Sequence, residues 1–310
     1  MNVQAYKLKF RAPVHFGNGR LSESAYTCDA ATLFSALYIE ALHLGIQDDL
    51  MDAAQSGEFK ISDAMPYADE TLFLPKPMLA AGPESADKRK ESETDSRARK
   101  AAKKLDYIAA DRLSSFLDGS FDFVTELERF DLGESALQTK VNLTRESKND
   151  ADPYHVGSFS FREGAGIYFL CEGNFDISPL MEQLAYAGLG GKRSSGFGRF
   201  EYSVSSNTPL DTKRAGVKTP HGHMLLSTAL PAESELDESL LLNARYRIVR
   251  KGGFIQSSSH SLSPQKKRDF YLFTAGSVFP HAFEGSVFDV NETPSAHAVY
   301  RYARAMWMEV

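Results

Sequence analysis

The sequence predicts an α+β protein with two domains. Its 310 residues exceed the usual length of one domain, and the polar segment 205–220, which holds two prolines, has the composition of a linker. Before this segment, strand and helix patterns follow in the order β-α-β-β-α-β, which is typical of a ferredoxin-like (RRM-like) fold. We therefore expect a ferredoxin-like domain over residues 1–204, with an inserted segment at about 71–155, and a second ferredoxin-like domain over 221–310.

The first two elements are a strand and a helix. Residues 6–11 alternate apolar and basic side chains, and this period of two predicts a half-solvated strand. From Ala30 to Leu44 the apolar residues recur at helical spacing instead. Asp29 stands where an N-cap is expected and Gly45 where the helix should end. These signals predict a helix over 30–44.

The insertion begins with charged sequence. Residues 82–104 contain almost no apolar side chains, so we expect either a mobile insertion or a solvated helix there. The β-α-β-β-α-β order requires one further strand, which we place near 71–80 or within 137–145. Clearer strand patterns follow at 158–162 and 166–171.

A second helix and a further series of strands complete the pattern. Ser178 to Ala187 is predicted to be helical, with Ser178 as N-cap and Pro179 at the first helical position. A glycine-rich loop at 188–198 then leads into a strand that ends at Val204. After the linker we expect strands within four segments, and either a strand or a helix within 298–310. The four segments are 223–230, 246–255, 270–279 and 285–290.

The net charge, read as a single number, argues against a nucleic-acid partner. There are 35 Lys and Arg against 41 Asp and Glu, giving −6, whereas phosphate binding relies on basic side chains. Cys28 and Cys171 show no CxxC spacing, which excludes a Cys-rich zinc site and favours two free thiols over one long-range disulfide. With no signal peptide and no apolar run of about 20 residues, we expect a cytoplasmic protein that does not contact membranes.

The distribution of charge indicates something different. Residues 239–268 contain seven Lys and Arg and no acid, and residues 192–218 are also basic. Residues 46–70 and 105–135 are strongly acidic. Such segregation is expected of a protein with one anion-binding side, with the acidic side as a docking or solvated surface.

The glycine-rich loop is the most informative segment. Its sequence, GLGGKRSSGFGRF at 188–200, combines five glycines with Lys192, Arg193 and Arg199 and with the hydroxyls of Ser194 and Ser195. Glycines allow close backbone approach to a ligand, and these cations and hydroxyls suit phosphates and sugar edges of a nucleic acid. Neither the Walker nor the Rossmann pattern of glycines is complete, and both need a strand before and a helix after the loop. A free nucleotide site is therefore disfavoured.

Catalytic patterns are weak in comparison. His15 lies between a strand and a glycine turn, where its imidazole is suited either to act as general base on a 2′-hydroxyl or to bind RNA. No acid partner is defined for it. His221 and His223 share a strand face but lack nearby Asp, Glu or Cys, so we expect no metal site there.

Taken in order, several segments resemble the RAMP superfamily of CRISPR effector proteins, and more closely the family of the fourth subunit of the type III-A Csm complex. They span nearly the whole chain, and the glycine-rich block is the most specific of them. The segments are HFGNG at 15–19, TLFSAL at 32–37, FLPKP at 73–77, GLGGKRSSGFGRF at 188–200, LSTALP at 226–231 and FTAGS at 273–277.

The resemblance implies a non-catalytic subunit at the foot of the complex, with no metal and no cofactor. It would bind the repeat-derived 5′ handle of crRNA and dock on the large palm-domain (polymerase-like) subunit and an adjacent backbone RAMP subunit. The alternative is a metal-independent endoribonuclease that processes crRNA precursor with His15. Carried over by position, the RNA-binding residues would be His15, Gly17, Gly19, Lys76, Asn142, Arg145, Gly190, Gly191, Lys192, Arg193, Ser194, Ser195, Arg199, Ser257, Ser258 and Ser259.

Overall fold

Antiparallel sheets carry the fold of the computed structural model, which describes residues 3–79, 93–142, 152–210, 222–255, 265–291 and 297–310. The helices are α1 (Ala30–Leu44), α2 (Gln47–Ser56), α3 (Glu93–Lys104), α4 (Leu113–Leu117), α5 (Phe123–Arg129), α6 (Ser178–Ala187) and α7 (Glu238–Leu241). The strands are β1 (Val3–Phe10), β2 (Phe16–Asn18), β3 (Arg20–Ala25), β4 (Phe59–Ile61), β5 (Met65–Ala68), β6 (Thr71–Pro75), β7 (Tyr107–Ala109), β8 (Gly133–Asn142), β9 (Asp152–Phe161), β10 (Ala165–Gly173), β11 (Phe200–Ser205), β12 (His223–Leu225), β13 (Ile248–Lys251), β14 (Phe270–Phe273), β15 (Val278–Phe279), β16 (Gly285–Asp289), β17 (Tyr300–Arg304) and β18 (Trp307–Glu309).

The central sheet has the strand order β11-β1-β10-β5-β6-β7, and β4 also pairs with β10. Helices α1 and α6 cover one of its faces, because the apolar stripes of both helices pack with Tyr6, Leu8 and Phe169 in one core cluster. The strand predicted at 6–11 is therefore confirmed as the inner strand β1, which pairs with β10 and β11.

Helix α1 has the predicted bounds, and its signals act as expected. The backbone N–H of Thr32 donates to the Asp29 carboxylate at 2.8 Å, and Gly45 ends the helix with φ 73°. Helix α6 also has the predicted bounds, but the prediction of Ser178 as its N-cap is wrong. Ser178 is already helical, and its N–H donates to the carboxylate of Asp176 at 2.9 Å.

The strand that completes the sheet beside β10 lies earlier than predicted. It consists of β4 and β5, which pair with β10 on either side of a break at residues 62–64. Both predicted places do carry strands, β6 and β8, but β6 extends the sheet and β8 forms a long hairpin with β9. The segment 59–68 shows no clear strand pattern in the sequence, because it is short, contains Pro66 and is surrounded by acidic residues.

The charged stretch at 82–104 is helical from Glu93 to Lys104, and its earlier part falls outside the described residues. Helix α3 is solvated on most of its surface, but Ala101 is 5% exposed and packs inward. The prediction of a solvated helix is therefore confirmed for the described part, and one face of it is used for packing.

The C-terminal residues pack on both sides of the central sheet. Met224, Leu226 and Met306 join Ala5 and Tyr168 in a cluster on the face opposite α1 and α6. On the other side, Tyr302 of β17 is buried against α1, and its hydroxyl accepts the backbone N–H of Ile61 at 2.9 Å. Each of the four segments predicted after the linker contains a strand, and 298–310 forms strands β17 and β18.

The architecture is thus a mixed α/β protein with antiparallel sheets, as the α+β prediction requires. Cys28 and Cys171 are free thiols, and the long-range disulfide is excluded. Within the described ranges, no helix is long and apolar enough to cross a membrane.

Candidate nucleic-acid interface

The glycine-rich loop owes its shape to close backbone contacts that leave no room for side chains. At Gly198, with φ +76°, an added Cβ would lie 2.1 Å from the carbonyl oxygen of Leu189. The Leu189 N–H donates to the Gly198 carbonyl at 2.9 Å and so closes the loop. At Gly190, with φ +96°, a Cβ would lie 2.8 Å from the carbonyl oxygen of His15. Only glycine satisfies both the backbone angles and the spacing at these positions.

The loop is anchored to the turn that follows β1. The N–H of Gly191 donates to the His15 carbonyl at 2.8 Å, and the N–H of Gly198 donates to the Pro13 carbonyl at 2.9 Å. The His15 ring is 7% exposed, and its Nδ1 lies 2.7 Å from the carbonyl oxygen of Gly157 in β9. Because a carbonyl only accepts, Nδ1 is the donor of this hydrogen bond.

The cations of the loop have no acidic partner in the part of the chain that the structure describes. Lys192 adopts the left-handed conformation with φ 60°, and Arg193 begins the short 3-10 turn Arg193–Ser195. The Lys192 ammonium lies 5.2 Å from the ring centroid of Tyr154 in β9. Among the described residues, no carboxylate lies within ion-pair distance of Lys192, Arg193 or Arg199. Their charge therefore remains available to an anion.

A cavity of about 450 Å³ opens beside this loop. We call residues 188–191 with Arg193 its loop wall. One face of helix α1, with Thr32, Ala36 and Ile39 at successive turns, forms its floor. The C-terminal residues close the other side, so the cavity is shared between the two halves of the chain.

A second group of lining residues, which we call the buried wall, consists of Asp29, Asp63, Thr228 and Lys251. The Lys251 ammonium lies 2.8 Å from Oδ2 of Asp29, whose Oδ1 accepts hydrogen bonds from Thr32. Burial alone would raise the pKa of Asp29, but the Lys251 charge and these hydrogen bonds outweigh it and hold that pKa below its ordinary value.

Asp63 connects the two halves of the chain. It lies in the break between β4 and β5, and its carboxylate accepts the N–H of Ala30 at 2.8 Å. The same carboxylate accepts both the N–H and the hydroxyl of Thr228 at 2.7 Å. Burial, together with the nearby charge of Asp29, raises the pKa of Asp63 to about 6 in spite of these hydrogen bonds.

The structure brings part of the predicted site together at this cavity. The residues that line it are His15, Gly17, Gly190, Gly191 and Arg193. Lys192, Ser194 and Ser195 belong to the turn that continues the loop wall. Gly19 lies between β2 and β3 and Arg199 directly before β11, and neither lines the cavity.

Other predicted residues lie elsewhere. The half-buried Lys76 donates to the carbonyl of Ala102 in the last turn of α3, and burial lowers its pKa. Asn142 is the last residue of β8. Arg145, Ser257, Ser258 and Ser259 are outside the described residues. Lys76 is not among the lining residues of the cavity.

The sequence reasoning missed the buried wall. It treated Asp29 as a helix cap only and counted Asp63 within a solvated acidic tract. One signal was available, because Asp63 directly precedes the apolar segment 64–68, where an isolated carboxylate requires partners. Thr228 and its contact with Asp63 join segments far apart in sequence, which a local pattern does not detect.

Comparison with known sequences identifies the class of protein as a CRISPR component. The family model described as the CRISPR Csm4 C-terminal domain matches residues 218–310. CRISPR system Cms protein Csm4 of Mycobacterium tuberculosis strain H37Rv is 35% identical over 99% of this chain and 98% of that protein. The Csm4 protein of Streptococcus thermophilus is 32% identical over 100% of this chain and 99% of that protein. This chain belongs to the Csm4 family, and the resemblance predicted from its segments is confirmed.

Solved structures support the fold. One chain of a crystal structure of a Csm3-Csm4 subcomplex, from a type III-A CRISPR-Cas interference complex, superposes with a TM-score of 0.64 at 17% identity. The alignment covers 100% of this chain and 99% of that one. A chain of the Csm1-Csm4 cassette in complex with cA4 gives 0.59 at 19% identity, covering 99% and 97%. The arrangement of strands and helices is therefore that of known Csm4 structures.

Proposed function

We propose that this chain is a non-catalytic, crRNA-binding subunit of a type III-A CRISPR interference complex, and that it binds the repeat-derived 5′ handle at the loop wall. The observation that carries the proposal is a pair of cations, Lys192 and Arg193, held by a glycine loop at the edge of a cavity and without carboxylate partners among the described residues. Such a loop offers phosphates both charge and backbone N–H groups.

The partners follow from the same family membership. Chains of similar fold are known in complexes with Csm1 and with Csm3. We propose that this chain likewise docks on the large palm-domain subunit and on an adjacent backbone RAMP subunit, in the cytoplasm. We also propose that residues 1–204 and 221–310 correspond to two ferredoxin-like domains. The strand order β11-β1-β10-β5, with α1 and α6 on one face, supports this for the first of them.

A binding role for His15 is favoured over a catalytic one. The ring is 7% exposed and is fixed by its Nδ1 contact with the Gly157 carbonyl. Its Cδ2 lies 2.7 Å from where a Cβ on Gly191 would be, so the loop covers this edge of the ring. A general base must reach the 2′-hydroxyl that it deprotonates, and this packing instead suits a residue that shapes the loop.

The test uses the purified full chain with a labelled repeat-derived 5′-handle RNA. We expect binding without cleavage, and we expect Lys192→Ala with Arg193→Ala to weaken the binding about tenfold to a hundredfold, because two phosphate contacts are lost. Lys103→Ala with Lys104→Ala is the matched control, since it removes the same charge from the exposed end of α3.

Two results would contradict the proposal. Equal RNA affinity in the loop variant and the wild type would exclude the loop wall as the binding site. Metal-independent cleavage of the repeat RNA by the wild type, lost in His15→Ala, would establish the endoribonuclease alternative in its place.

A further inference from the structure

The hairpin β8–β9 contacts the glycine-rich loop through two lysines that point in opposite directions. The ammonium of Lys192 in the loop lies 5.2 Å from the ring centroid of Tyr154 in β9. In return, the ammonium of Lys140 in β8 lies 5.2 Å from the ring centroid of Phe197 in the loop. A cation over an aromatic ring at this distance is attracted by the negative face of the ring. Each element therefore supplies one cation and one ring to the other.

The register of the hairpin brings these two contacts together. Lys140 and Tyr154 are directly opposed residues of the antiparallel pair, and opposed side chains stand side by side on one face of a hairpin. In the loop, the backbone N–H of Phe197 donates to the carbonyl of Lys192 at 3.5 Å. Each of the four residues is thus linked to two of the others. We call Lys140, Tyr154, Lys192 and Phe197 the cation–ring cluster.

Both ammonium groups of the cluster are without a carboxylate partner among the residues that the structure describes. An ammonium group carries three N–H donors. A ring face occupies only one side of it, so the Lys192 ammonium keeps donors for a phosphate while it remains over Tyr154. The contact with the ring and a contact with an anion are therefore compatible.

The backbone of Lys192 also indicates that its side chain is used. Its φ of 60° lies in the left-handed region, which is uncommon for residues other than glycine. Gly190, Gly196 and Gly198 of the same loop also have positive φ and are glycines. A lysine at such a position costs conformational energy that a glycine would avoid. The contact with Tyr154 gives a physical reason for a lysine there.

A lysine side chain that is held in advance binds a phosphate at a lower cost in entropy. Free lysine side chains lose much rotamer freedom when they are ordered, and preorganisation reduces that loss on binding. We propose that Tyr154 is a positioning residue that holds the Lys192 ammonium ready for an RNA phosphate, and that Lys140 secures the loop through Phe197. This role rests on the proposed function of the loop as an RNA-binding site.

The test is a double-mutant cycle with the full chain and the labelled 5′-handle RNA. Tyr154→Leu removes the ring, and we expect it to weaken RNA binding about twofold to fivefold, as for the loss of one cation–π contact. In the Lys192→Met background the same change should have no further effect, since no ammonium is left to position. Tyr154→Phe keeps the aromatic face and should restore the affinity.

The second contact is tested by the same cycle with Lys140→Met and Phe197→Leu. Each change should weaken RNA binding, and the loss in the double variant should be smaller than the two single losses combined. Full additivity would remove the role proposed for Lys140.

The salt dependence of binding separates positioning from direct contact with the RNA. Tyr154→Leu should leave the slope of log affinity against log salt concentration unchanged, because Lys192 still reaches the phosphate in the complex. Lys192→Met should reduce that slope by about 0.7, for one phosphate contact on a single strand. Tyr271→Leu makes the same change at an exposed tyrosine of β14 and should bind like the wild type. Tyr154→Met repeats the test with another apolar side chain, which reveals any disturbance of the hairpin specific to leucine.

The outcomes separate this proposal from the function on which it rests. Equal losses from Tyr154→Leu with and without the Lys192 ammonium would show that Tyr154 contacts the RNA itself, and this would overturn the positioning role. Unchanged affinity in both Tyr154→Leu and Tyr154→Met would overturn it as well. If Lys192→Met still weakens binding in either case, the proposed function stands. If Lys192→Met has no effect, the proposed function fails, and the positioning role fails with it.

Discussion

The two basic tracts of the sequence, 192–218 and 239–268, look alike in composition but differ in the folded protein. In the first, Lys192, Arg193 and Arg199 have no carboxylate partner among the described residues. In the second, Lys251 is paired with Asp29 and Arg250 with Asp269, whereas the other cations of that tract have no carboxylate partner among the described residues. Both acids lie outside the tract in the sequence. Charge counted along a chain therefore does not tell which cations remain free to bind an anion.

The difference assigns separate roles to the loop cations Lys192 and Arg193 of the first tract and to the paired Lys251 of the second. Free cations on a glycine loop provide salt-dependent affinity for phosphates. A cation paired with a buried carboxylate provides little of that attraction, but its loss leaves a buried charge uncompensated. We therefore expect changes in the first tract to affect RNA binding and changes at Lys251 to affect stability. The following predictions test this division, from the largest effect to the smallest.

Gly198→Ala should have the largest effect. The added methyl group would lie 2.1 Å from the Leu189 carbonyl at a φ of +76°, so the loop must rearrange. We expect a loss of roughly 2–5 kcal/mol in the free energy of unfolding and a large loss of RNA affinity. Denaturant unfolding and RNA titration measure the two effects.

Gly196→Ala is the matched control, since it shares a positive φ of +85° but has nothing within 4 Å of the new methyl group. It should cost only about 1 kcal/mol. If the two variants lost equal amounts of stability and RNA affinity, backbone strain alone, and not the close contact with Leu189, would account for the shape of the loop.

Lys251→Ala should destabilise the protein by roughly 1–3 kcal/mol, because the buried Asp29 carboxylate loses its ionic partner. Lys192→Ala should change the free energy of unfolding by less than about 0.5 kcal/mol, since no acid within the described ranges pairs with it. Thermal and urea unfolding of the two variants measure this contrast. A destabilisation by Lys192→Ala as large as that by Lys251→Ala would remove the distinction between the tracts.

The raised pKa of Asp63 predicts how the stability of the protein changes with pH. Burial and the charge of Asp29 raise its pKa to about 6, above the ordinary value of 3.8. Between these values the folded state binds more protons than the unfolded state, so this group's contribution to stability falls as pH rises from about 4 to about 6. An ionised Asp63 therefore lowers stability at pH 7 relative to pH 5.

Asp63→Asn isolates this effect, because its carbonyl can accept from Ala30 and Thr228 while its amide donates to the Thr228 hydroxyl. The difference in unfolding free energy between Asp63→Asn and wild type should move by about 1 kcal/mol in favour of the variant between pH 5 and pH 7. A difference that is constant across this range would contradict the raised pKa.

Lys76→Met should have the smallest effect. Its ammonium donates to the Ala102 carbonyl at the end of α3, so we expect a loss of about 1 kcal/mol in stability. RNA affinity should not change, since Lys76 does not line the cavity. A clear loss of affinity with unchanged stability would restore the RNA-binding role predicted for Lys76 from the resemblance.

Local signals in the sequence predicted the parts of the fold that depend on local interactions. Helix α1 has its predicted bounds because Asp29 and Gly45 act on the backbone directly next to them. The prediction for the N-cap of α6 was wrong by one residue, because the helix already includes Ser178, whose N–H donates to the Asp176 carboxylate. The strand at 59–68 was missed because its pairing with β10 is a long-range contact that leaves no clear period in so short a segment.

In the candidate site, too, the part that depends on neighbouring residues was predicted and the part that depends on long-range contacts was not. The glycine content and the charge identified the loop wall, because the residues that form it are consecutive in the sequence. The buried wall required Asp29, Asp63 and Lys251 to meet across more than 200 residues of sequence. Asp29 has two functions, as a helix cap and as the partner of Lys251, and only the first has a local signature.

The salt dependence of RNA binding tests the division between the tracts most directly. The logarithm of the affinity of the full chain for the 5′-handle RNA is measured against the logarithm of salt concentration in two charge-matched variants. Lys192→Ala with Arg193→Ala should reduce the slope by about 1.5, for two phosphate contacts on a single strand. Arg250→Ala with Lys251→Ala removes the same formal charge and should leave the slope nearly unchanged. Equal slopes in the two variants would contradict the account.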